Sequence, residues 1–421
     1  MAILARATAG DAMKIIENVA FKGGGVLGAA YAGALTALEE YKLIGHSGGN
    51  EPTVYGNVKR VAGTSAGSIC AALLALGHNA AEINALMSAL KFTEFVDPTA
   101  NPLFDGGLCY GAAFLKWMQE RVAQVLGKPD ATFTDLKKSV DNDPRFKDLH
   151  VFSHQVSSGR TFEFCEQSTP DVPIAQAVRA SMSIPIFFVP WTFSGDLAKR
   201  YPGDFVDGGV AFNYPISAFD SGPNNYLTLG LLLEPLSYDQ EGLLDVVFHA
   251  ALDALAVPQG IRTIAEALLE AIKIGPLDMD KVNALKSGAL AAAPQGDNDL
   301  SRAIEIATAA APAWDIWRQS GDIAKAIDAF VAAIERYLAN SPAWQELISF
   351  LKVLARWFST IGTLINAPTN VVFERDAPRS IVVNTLGYSF VDFWLPDCNK
   401  RKLVDAGYTC ASQYLSLIMY S

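Results

Sequence analysis

The 421-residue sequence predicts an α/β fold interrupted by a large helical insertion. Three observations carry that reading. Two Gly-rich turns, Gly23 to Gly28 and Gly63 to Gly67, each follow a short apolar run and open a helical pattern. Apolar strand character appears at Tyr226 to Glu234 and returns at Ser380 to Leu386. Between them, from Tyr238 to about Thr369, there is no convincing strand; helical patterns alternate with breaks at Pro258, Gly275, Pro294, Gly321 and Pro342. A helical block inside an α/β frame is most simply an insertion, because the strand after it is needed to complete the sheet. The expected divisions are therefore a core over 1–237, a helical insertion over 238–370, and a closing strand with the C-terminal segment of the core over 371–421.

In chain order, Asn18 to Lys22 reads as a short buried strand, and Ala29 to Tyr41 as a helix with Ala30, Ala34, Leu35 and Leu38 on one face. A Gly-rich connector, Gly45 to Gly56, leads to a strand over Val58 to Ala62 and then a helix from Ile69 to Leu76. Ala80 to Leu90 and Gly111 to Leu126 read as helices, and Thr134 to Leu136 as a turn or helix start. His150 to Val156 and Thr161 to Cys165 form a predicted hairpin around Ser157-Ser158-Gly159. Pro173 to Ala180 reads as a helix with Pro in its first turn. The tail, Lys400 to Ile418, is mixed and ends in a helix. No internal repeat is visible.

Composition narrows the function. Half of the residues are hydrophobic, enough for a large core. A net charge of −11 and a pI of about 5.0 argue against nucleic acid as a partner, since phosphate backbones need clustered Lys and Arg. The same charge gives no long-range attraction to anionic membranes. Cys70, Cys109, Cys165, Cys398 and Cys410 form neither a C-x-x-C pair nor a metal spacing, which fits reduced, mostly buried thiols in a cytosol. The stretch from Met1 to Met13 lacks the apolar core of a secretory signal, and no run of eighteen uncharged apolar residues exists to span a bilayer. The expected location is cytoplasmic, with peripheral contact to membranes allowed.

Three segments carry candidate chemistry. Gly63-Thr64-Ser65-Ala66-Gly67 has the G-x-S-x-G form of a nucleophile elbow. Glycines two residues before and after Ser65 admit the crowding of such a turn, and the following helix aims its N-terminal dipole at developing negative charge. An idle serine on a Gly-rich turn is the plain alternative. Gly23-Gly24-Gly25-Val26-Leu27-Gly28 also satisfies G-x-G-x-x-G at Gly23, Gly25 and Gly28. The acid that a dinucleotide site would carry at the end of a second strand is missing, because Glu39 and Glu40 fall on the same helix. The other reading is a row of bare backbone N–H donors for an oxyanion. The base is the open question. His46, His78, His150, His154 and His249 lack a recognisable site context, and His150 and His154 sit in a predicted strand. Asp207-Gly208-Gly209 places a carboxylate at a strand end beside two glycines, which an ordinary Asp-Gly turn would do too; Asp105-Gly106-Gly107 repeats the tripeptide.

Taken together and in this order, these segments resemble the patatin-like phospholipases. The Gly23 to Gly28 loop looks like the family's oxyanion motif, Gly63 to Gly67 matches its elbow, Arg179-Ala180-Ser181-Met182-Ser183-Ile184-Pro185-Ile186-Phe187 resembles the block before the base, and Asp207-Gly208-Gly209 with Asn213 and Pro215 resembles the catalytic Asp-Gly-Gly segment. The matches span roughly Asn18 to Pro215, and Ser380 to Leu395 and Leu403 to Leu415 faintly resemble the closing strand and helix. The resemblance implies a three-layer α/β/α core and a Ser-Asp dyad. Ser65 would attack an ester carbonyl to give an acyl-enzyme, and Asp207 would take the proton and later activate water. Gly23, Gly24, Gly25 and Ala66 would frame the oxyanion hole, with Gly24 and Gly25 as its main donors. Gly28, Gly63, Gly67, Gly208 and Gly209 would support the motifs. No metal and no cofactor is implied; the implied substrate is a phospholipid or lysophospholipid. Leu27 departs from the Lys or Arg that many members carry before the last Gly of the loop, and the nearest cation is Lys22.

Within the insertion, Trp344, Leu347, Ile348, Leu351, Leu354, Trp357, Phe358 and Ile361 recur at helical spacing, with Trp314 and Trp317 on a neighbouring helix. Core packing or a homodimer surface is one reading, and a lid or interfacial patch touching lipid, with Lys352 and Arg356 reaching headgroups, is the other.

Overall fold

The computed structural model describes residues 16–45, 56–90, 92–95, 97–99, 107–221, 227–233, 332, 373–388 and 395–420. The chain divides into two compact units. One comprises Met1–Asp97, Cys109–Gly242 and Ala367–Ser421, and the other Pro98–Leu108 and Leu243–Asn366. Every element named below belongs to the first. The Trp-rich stripe expected over 344–361 and the rest of the expected insertion, apart from residue 332, lie outside the described residues.

An eight-stranded mixed sheet is the frame. Its strands are β1 (Asn18–Phe21), β2 (Arg60–Thr64), β3 (Asp148–Gln155), β4 (Arg160–Phe164), β5 (Trp191–Thr192), β6 (Asp204–Asp207), β7 (Thr228–Leu233) and β8 (Ser380–Val383). Their order is β8-β7-β1-β2-β3-β6-β5, with β4 paired to β3 off this path. β8, β7, β1, β2 and β3 run parallel, whereas β4 and β6 run antiparallel to β3. Parallel strands are covered on both faces, which is why β1 and β7 are apolar after their first residues, Asn18 and Thr228; every residue of both is buried. Each Leu or Val so buried contributes about 1.5–3 kcal/mol. β2 ends at Thr64 and not at Ala62 as expected, because β3 pairs with it through Phe152.

The longer helices are α1 (Ala30–Glu40), α2 (Ala66–Ala75), α3 (Ala80–Ala89), α4 (Ala112–Leu126), α5 (Phe133–Asn142), α6 (Ile174–Ser181) and α7 (Asp397–Tyr420), with shorter ones at Gly195–Arg200 and Phe373–Asp376. A 3-10 turn, Gly25–Ala29, precedes α1. The expected helix start near Thr134 is α5, opened by a capping box in which Thr132 and Asp135 satisfy each other's backbone N–H groups. The mixed tail is a single helix. It packs on α1 at van der Waals closeness: a Cβ on Gly33 would stand 1.8 Å from Val404 O, and one on Gly407 1.9 Å from Ala30 O. α2, wholly buried, packs along β1, β2 and β3. Tyr214, Ile216 and Phe219 pack on Ala20, Ala62, Phe152 and Leu232 of the sheet, tying the chain after β6 to the strands that hold the turns. Arg379 clamps that segment to the start of β8, pairing with Asp220 (2.6 Å) and Asp376 (2.7 Å). Among the described residues no helix is long and apolar enough to cross a membrane.

Candidate active site

The elbow begins where β2 leaves the sheet. Thr64 is the last residue paired to β3, opposite Phe152. Ser65 then takes φ 52° and ψ −129° as it opens α2. A positive φ on a residue with a Cβ costs on the order of 1–3 kcal/mol, so the surroundings must hold it. They do so with one hydroxyl. The Ser65 N–H donates to Ser181 Oγ (2.9 Å), and Ser181 Oγ donates to Phe152 O (2.5 Å). Ser181 thus replaces the ladder bond at the point of exit. Ser68 Oγ donates to Ser65 O (2.6 Å). The flanking glycines are required by contact: a Cβ on Gly63 would lie 2.3 Å from Gly67 O, and one on Gly67 2.5 Å from Phe21 O. The Ser65 hydroxyl makes no helix-cap bond, which leaves it to the site.

Sheet register brings Asp207 to the same place. Asp207 ends β6 opposite Ser153, one residue beyond the Phe152–Thr64 pair. β4 occupies one side of β3 from Val151 to Gln155. β2 and β6 therefore share the other side, end to end, and β6 fills the position that β2 vacates at Ser65. Asp207 N–H donates to Ser183 O (2.8 Å), and its Oδ1 accepts from Gly209 N–H (2.7 Å). Oδ2 is buried and, among the described residues, lacks a hydrogen-bond partner of ordinary length. Burial pushes the carboxyl up to about 7, opposed by the Ser65 hydroxyl and the Gly209 amide, which favour its charged form. Gly208 sits where a Cβ would meet Phe152 O at 2.4 Å, and Gly209 beside Asn213 Oδ1.

The third part is the loop after β1. β1 lies parallel beside β2 with Phe21 opposite Gly63, so both turns leave one edge of the sheet. Gly23 N–H donates to Asn213 O (2.9 Å), so this donor is already engaged. Gly23 is a spacer: a Cβ there would stand 2.2 Å from Asn213 Oδ1 and 3.1 Å from Ser65 Cβ. Among the described residues no acceptor takes the N–H of Gly24, Gly25 or Ala66. Gly25 has φ 52°, and Ala66 opens α2, where the first N–H groups of a helix are unpaired. Gly28 packs against Ala66, a Cβ on it lying 3.2 Å from Ala66 Cβ. Leu27 is buried in the 3-10 turn, pointing to packing and not to recognition. Lys22 is buried as well, with Nζ 3.4 Å from Gly23 O, and burial lowers its pKa to about 8.

The described histidines stay apart. His154 alternates to the face of β3 opposite that shared by Ser153 and Asp207. Its Nδ1 has no partner among the described residues, and burial lowers its pKa. His150 is bound to Glu163 (2.7 Å) and His78 lies 3.4 Å from Glu82. His46, His249, Asp105 and Gly106 lie outside the described residues.

Two supports belong to the Arg179 to Phe187 block but have no role readable from it. One is Ser181. The other is Arg179, buried without a carboxylate partner among the described residues, donating to Ser183 Oγ (2.5 Å), Tyr110 O (2.7 Å) and Val189 O (2.9 Å). Its guanidinium lies 5.0 Å from the Phe188 ring centroid. Since Ser183 O takes the Asp207 N–H, Arg179 holds the segment that seats the carboxylate.

An elbow serine, a buried carboxylate and unpaired backbone donors at one sheet edge define the class of α/β proteins built like serine hydrolases. The family follows from comparison: the patatin-like phospholipase family profile matches residues 19–220, and the chain belongs to that family. It is 32% identical over 232 residues to the uncharacterized protein YqhO of Bacillus subtilis, covering 51% of this chain and 70% of that protein. It is 27% identical over 233 residues to the uncharacterized protein R571 of Acanthamoeba polyphaga mimivirus (54% and 69%). It is 24% identical over 209 residues to the probable lipid hydrolase 463L of Invertebrate iridescent virus 6 (48% and 63%). Among solved structures it is similar to VipD from Legionella pneumophila, at 16% identity and a TM-score of 0.39 over 85% of this chain and 92% of that one. ExoU of Pseudomonas aeruginosa, in complex with SpcU, gives 19% identity and a TM-score of 0.32 over 85% and 78%.

Proposed function

We propose that this chain hydrolyses fatty-acyl esters of phospholipids or lysophospholipids through a Ser65–Asp207 dyad and an acyl-enzyme. The observation that carries the reading is the buried Asp207 Oδ2, without a partner of ordinary hydrogen-bond length, at the end of the strand that meets the elbow. Oδ2 takes the Ser65 Oγ proton as Oγ attacks the ester carbonyl. The resulting oxyanion is held by the N–H groups of Gly24, Gly25 and Ala66. Collapse expels the alcohol, which receives the proton from Asp207. Asp207 then deprotonates water, which attacks the acyl-enzyme, and the second collapse frees the fatty acid and returns the proton to Ser65. Family membership and the lipid-hydrolase name of one relative support lipid as the substrate class.

In the same reading the segment over 238–370, expected from its sequence to be helical, serves as a lid, a transient membrane contact or a dimer surface, and the protein works in the cytoplasm. The test is product analysis on mixed phospholipid vesicles with native protein and Ser65→Ala, beside labelling by a fluorophosphonate probe. Fatty acid release and labelling should both vanish in Ser65→Ala. A native chain that neither labels nor releases fatty acid would overturn the reading in favour of a lipid- or partner-binding protein on the same fold.

A further inference from the structure

The β3–β4 hairpin gathers three side chains that the ester chemistry does not use. Its register pairs Val151 with Phe164 and Phe152 with Glu163. Continuing that count sets Cys165 opposite His150, with Glu163 on the diagonal. Residues two apart share a face, so all three project from one face of the hairpin. Directly opposite residues have Cβ atoms about 4.5–5.5 Å apart, and a Glu is long enough to close the diagonal. The ligand-type atoms agree: one nitrogen of His150, one oxygen of Glu163 and the sulfur of Cys165 all lie within 4.8 Å of one another. His150 Nδ1 and Glu163 Oε1 are 2.7 Å apart. The sulfur is anchored by the turn after β4, where the Cys165 N–H donates to Thr169 Oγ1 (3.1 Å) and the Thr169 N–H to Cys165 O (2.9 Å). Ser168 Oγ stands 3.2 Å from Sγ. The His150 ring is held edge-on against Phe219 at 4.8 Å. Among the described residues this is the one group of its kind.

The geometry points to a binding site for a divalent transition-metal ion of the Zn²⁺ type, made by His150, Glu163 and Cys165. Imidazole nitrogen, thiolate and carboxylate are the zinc donor set, and bond lengths of about 2.0–2.3 Å set such donors roughly 3.5 Å from one another, inside the 4.8 Å within which these atoms already lie. The sulfur selects against Mg²⁺ and Ca²⁺, which take oxygen ligands. Binding displaces to solvent both the proton that His150 Nδ1 shares with Glu163 and the Cys165 thiol proton, leaving a neutral imidazole that keeps its Nε2–H, a carboxylate and a thiolate. Two anionic ligands then balance the two positive charges, and water or Ser168 Oγ completes four-coordination. Entry is from the Glu163 side, 39% exposed, while Cys165 is buried. The site is separate from the dyad: His150 lies three residues from Ser153, roughly 10 Å along the strand, and β4 flanks β3 on the side away from β6.

The experiment is a Co²⁺ titration of the Cys398→Ser protein, which removes the exposed thiol. One equivalent of Co²⁺ should produce a thiolate-to-cobalt charge-transfer absorption, and one equivalent of Zn²⁺ should bleach it. Cys165→Ser in that background should abolish the absorption. Glu163→Gln, at a partly exposed position that folding tolerates, should keep it but weaken Co²⁺ binding at least tenfold. Fluorophosphonate labelling of Ser65 should proceed at the same rate with Zn²⁺ bound. Absence of a saturable band, a band surviving Cys165→Ser, or native affinity in Glu163→Gln would overturn the site. Loss of Ser65 labelling on Zn²⁺ binding would overturn its separation from the dyad.

Discussion

Asp207→Asn should make the protein more stable and inactive, and the gain should depend on pH. A carboxyl with an unfolded-state pKa of 3.8 is pushed to about 7 in the fold. Native protein therefore holds the Asp207 proton between those values while the unfolded chain has lost it. With more protons bound in the native state, stability falls as pH rises through this window. A rise of that size corresponds to about 4 kcal/mol, of which about 2.5 kcal/mol accumulates between pH 5 and pH 8. Asparagine escapes this cost. Its oxygen keeps the Gly209 N–H, and its NH₂ replaces the unpartnered Oδ2 and faces the Ser65 hydroxyl, which accepts. Denaturant midpoints of both proteins at pH 5 and pH 8 give the measurement. The Asn variant should gain about 2–3 kcal/mol over native protein between the two pH values, with ester turnover near zero at both. A stability difference that stays flat with pH would show that Asp207 is not the buried, raised carboxyl the mechanism requires.

Three further outcomes follow from the site. kcat/KM on a soluble ester should fall about tenfold per pH unit below about 7 and level off above it, because only ionised Asp207 acts as base; a pH-rate profile flat down to pH 5 contradicts this. Ser181→Ala leaves the Ser65 N–H and Phe152 O unpaired, at about 1–3 kcal/mol each, so thermal stability and kcat should drop together. Wild-type kcat in that variant would remove Ser181 from the support of the elbow. Gly24→Ala puts a Cβ 2.6 Å from Leu233 Cδ1, a side chain able to yield, while its φ of −179° suits any residue. The fold should survive and kcat should drop about 10²–10³-fold as the donor shifts, read by steady-state kinetics; an unchanged kcat excludes the loop as the oxyanion hole.

The local parts of the site were legible in the chain. A turn with Gly63 and Gly67 about Ser65 constrains its own backbone, so the strand, elbow and helix could be read from five residues. The parallel interior strands announced themselves as apolar runs because burial on both faces demands it. The tail was harder: Asp397–Tyr420 is one helix, but Gly407 interrupts its pattern, and that glycine makes sense only against Ala30 of α1.

What the tertiary structure decided is pairing. The glycine run announced backbone donors, but that the Gly23 N–H is engaged by Asn213 O, far along the chain, is visible only in the packed structure. Asp207 could be picked out by its motif, yet its meeting with Ser65 depends on β3 serving β2 and β6 along one side. Ser181 sits in a recognised block without any sign that its hydroxyl bridges strand and elbow. Cys165 and His150 lack a metal spacing in sequence and become neighbours through a hairpin register. A backbone turn is governed by residues a few positions apart, and composition records it. A hydrogen bond between strands is governed by which edges meet, and that is set by the packing of the whole sheet.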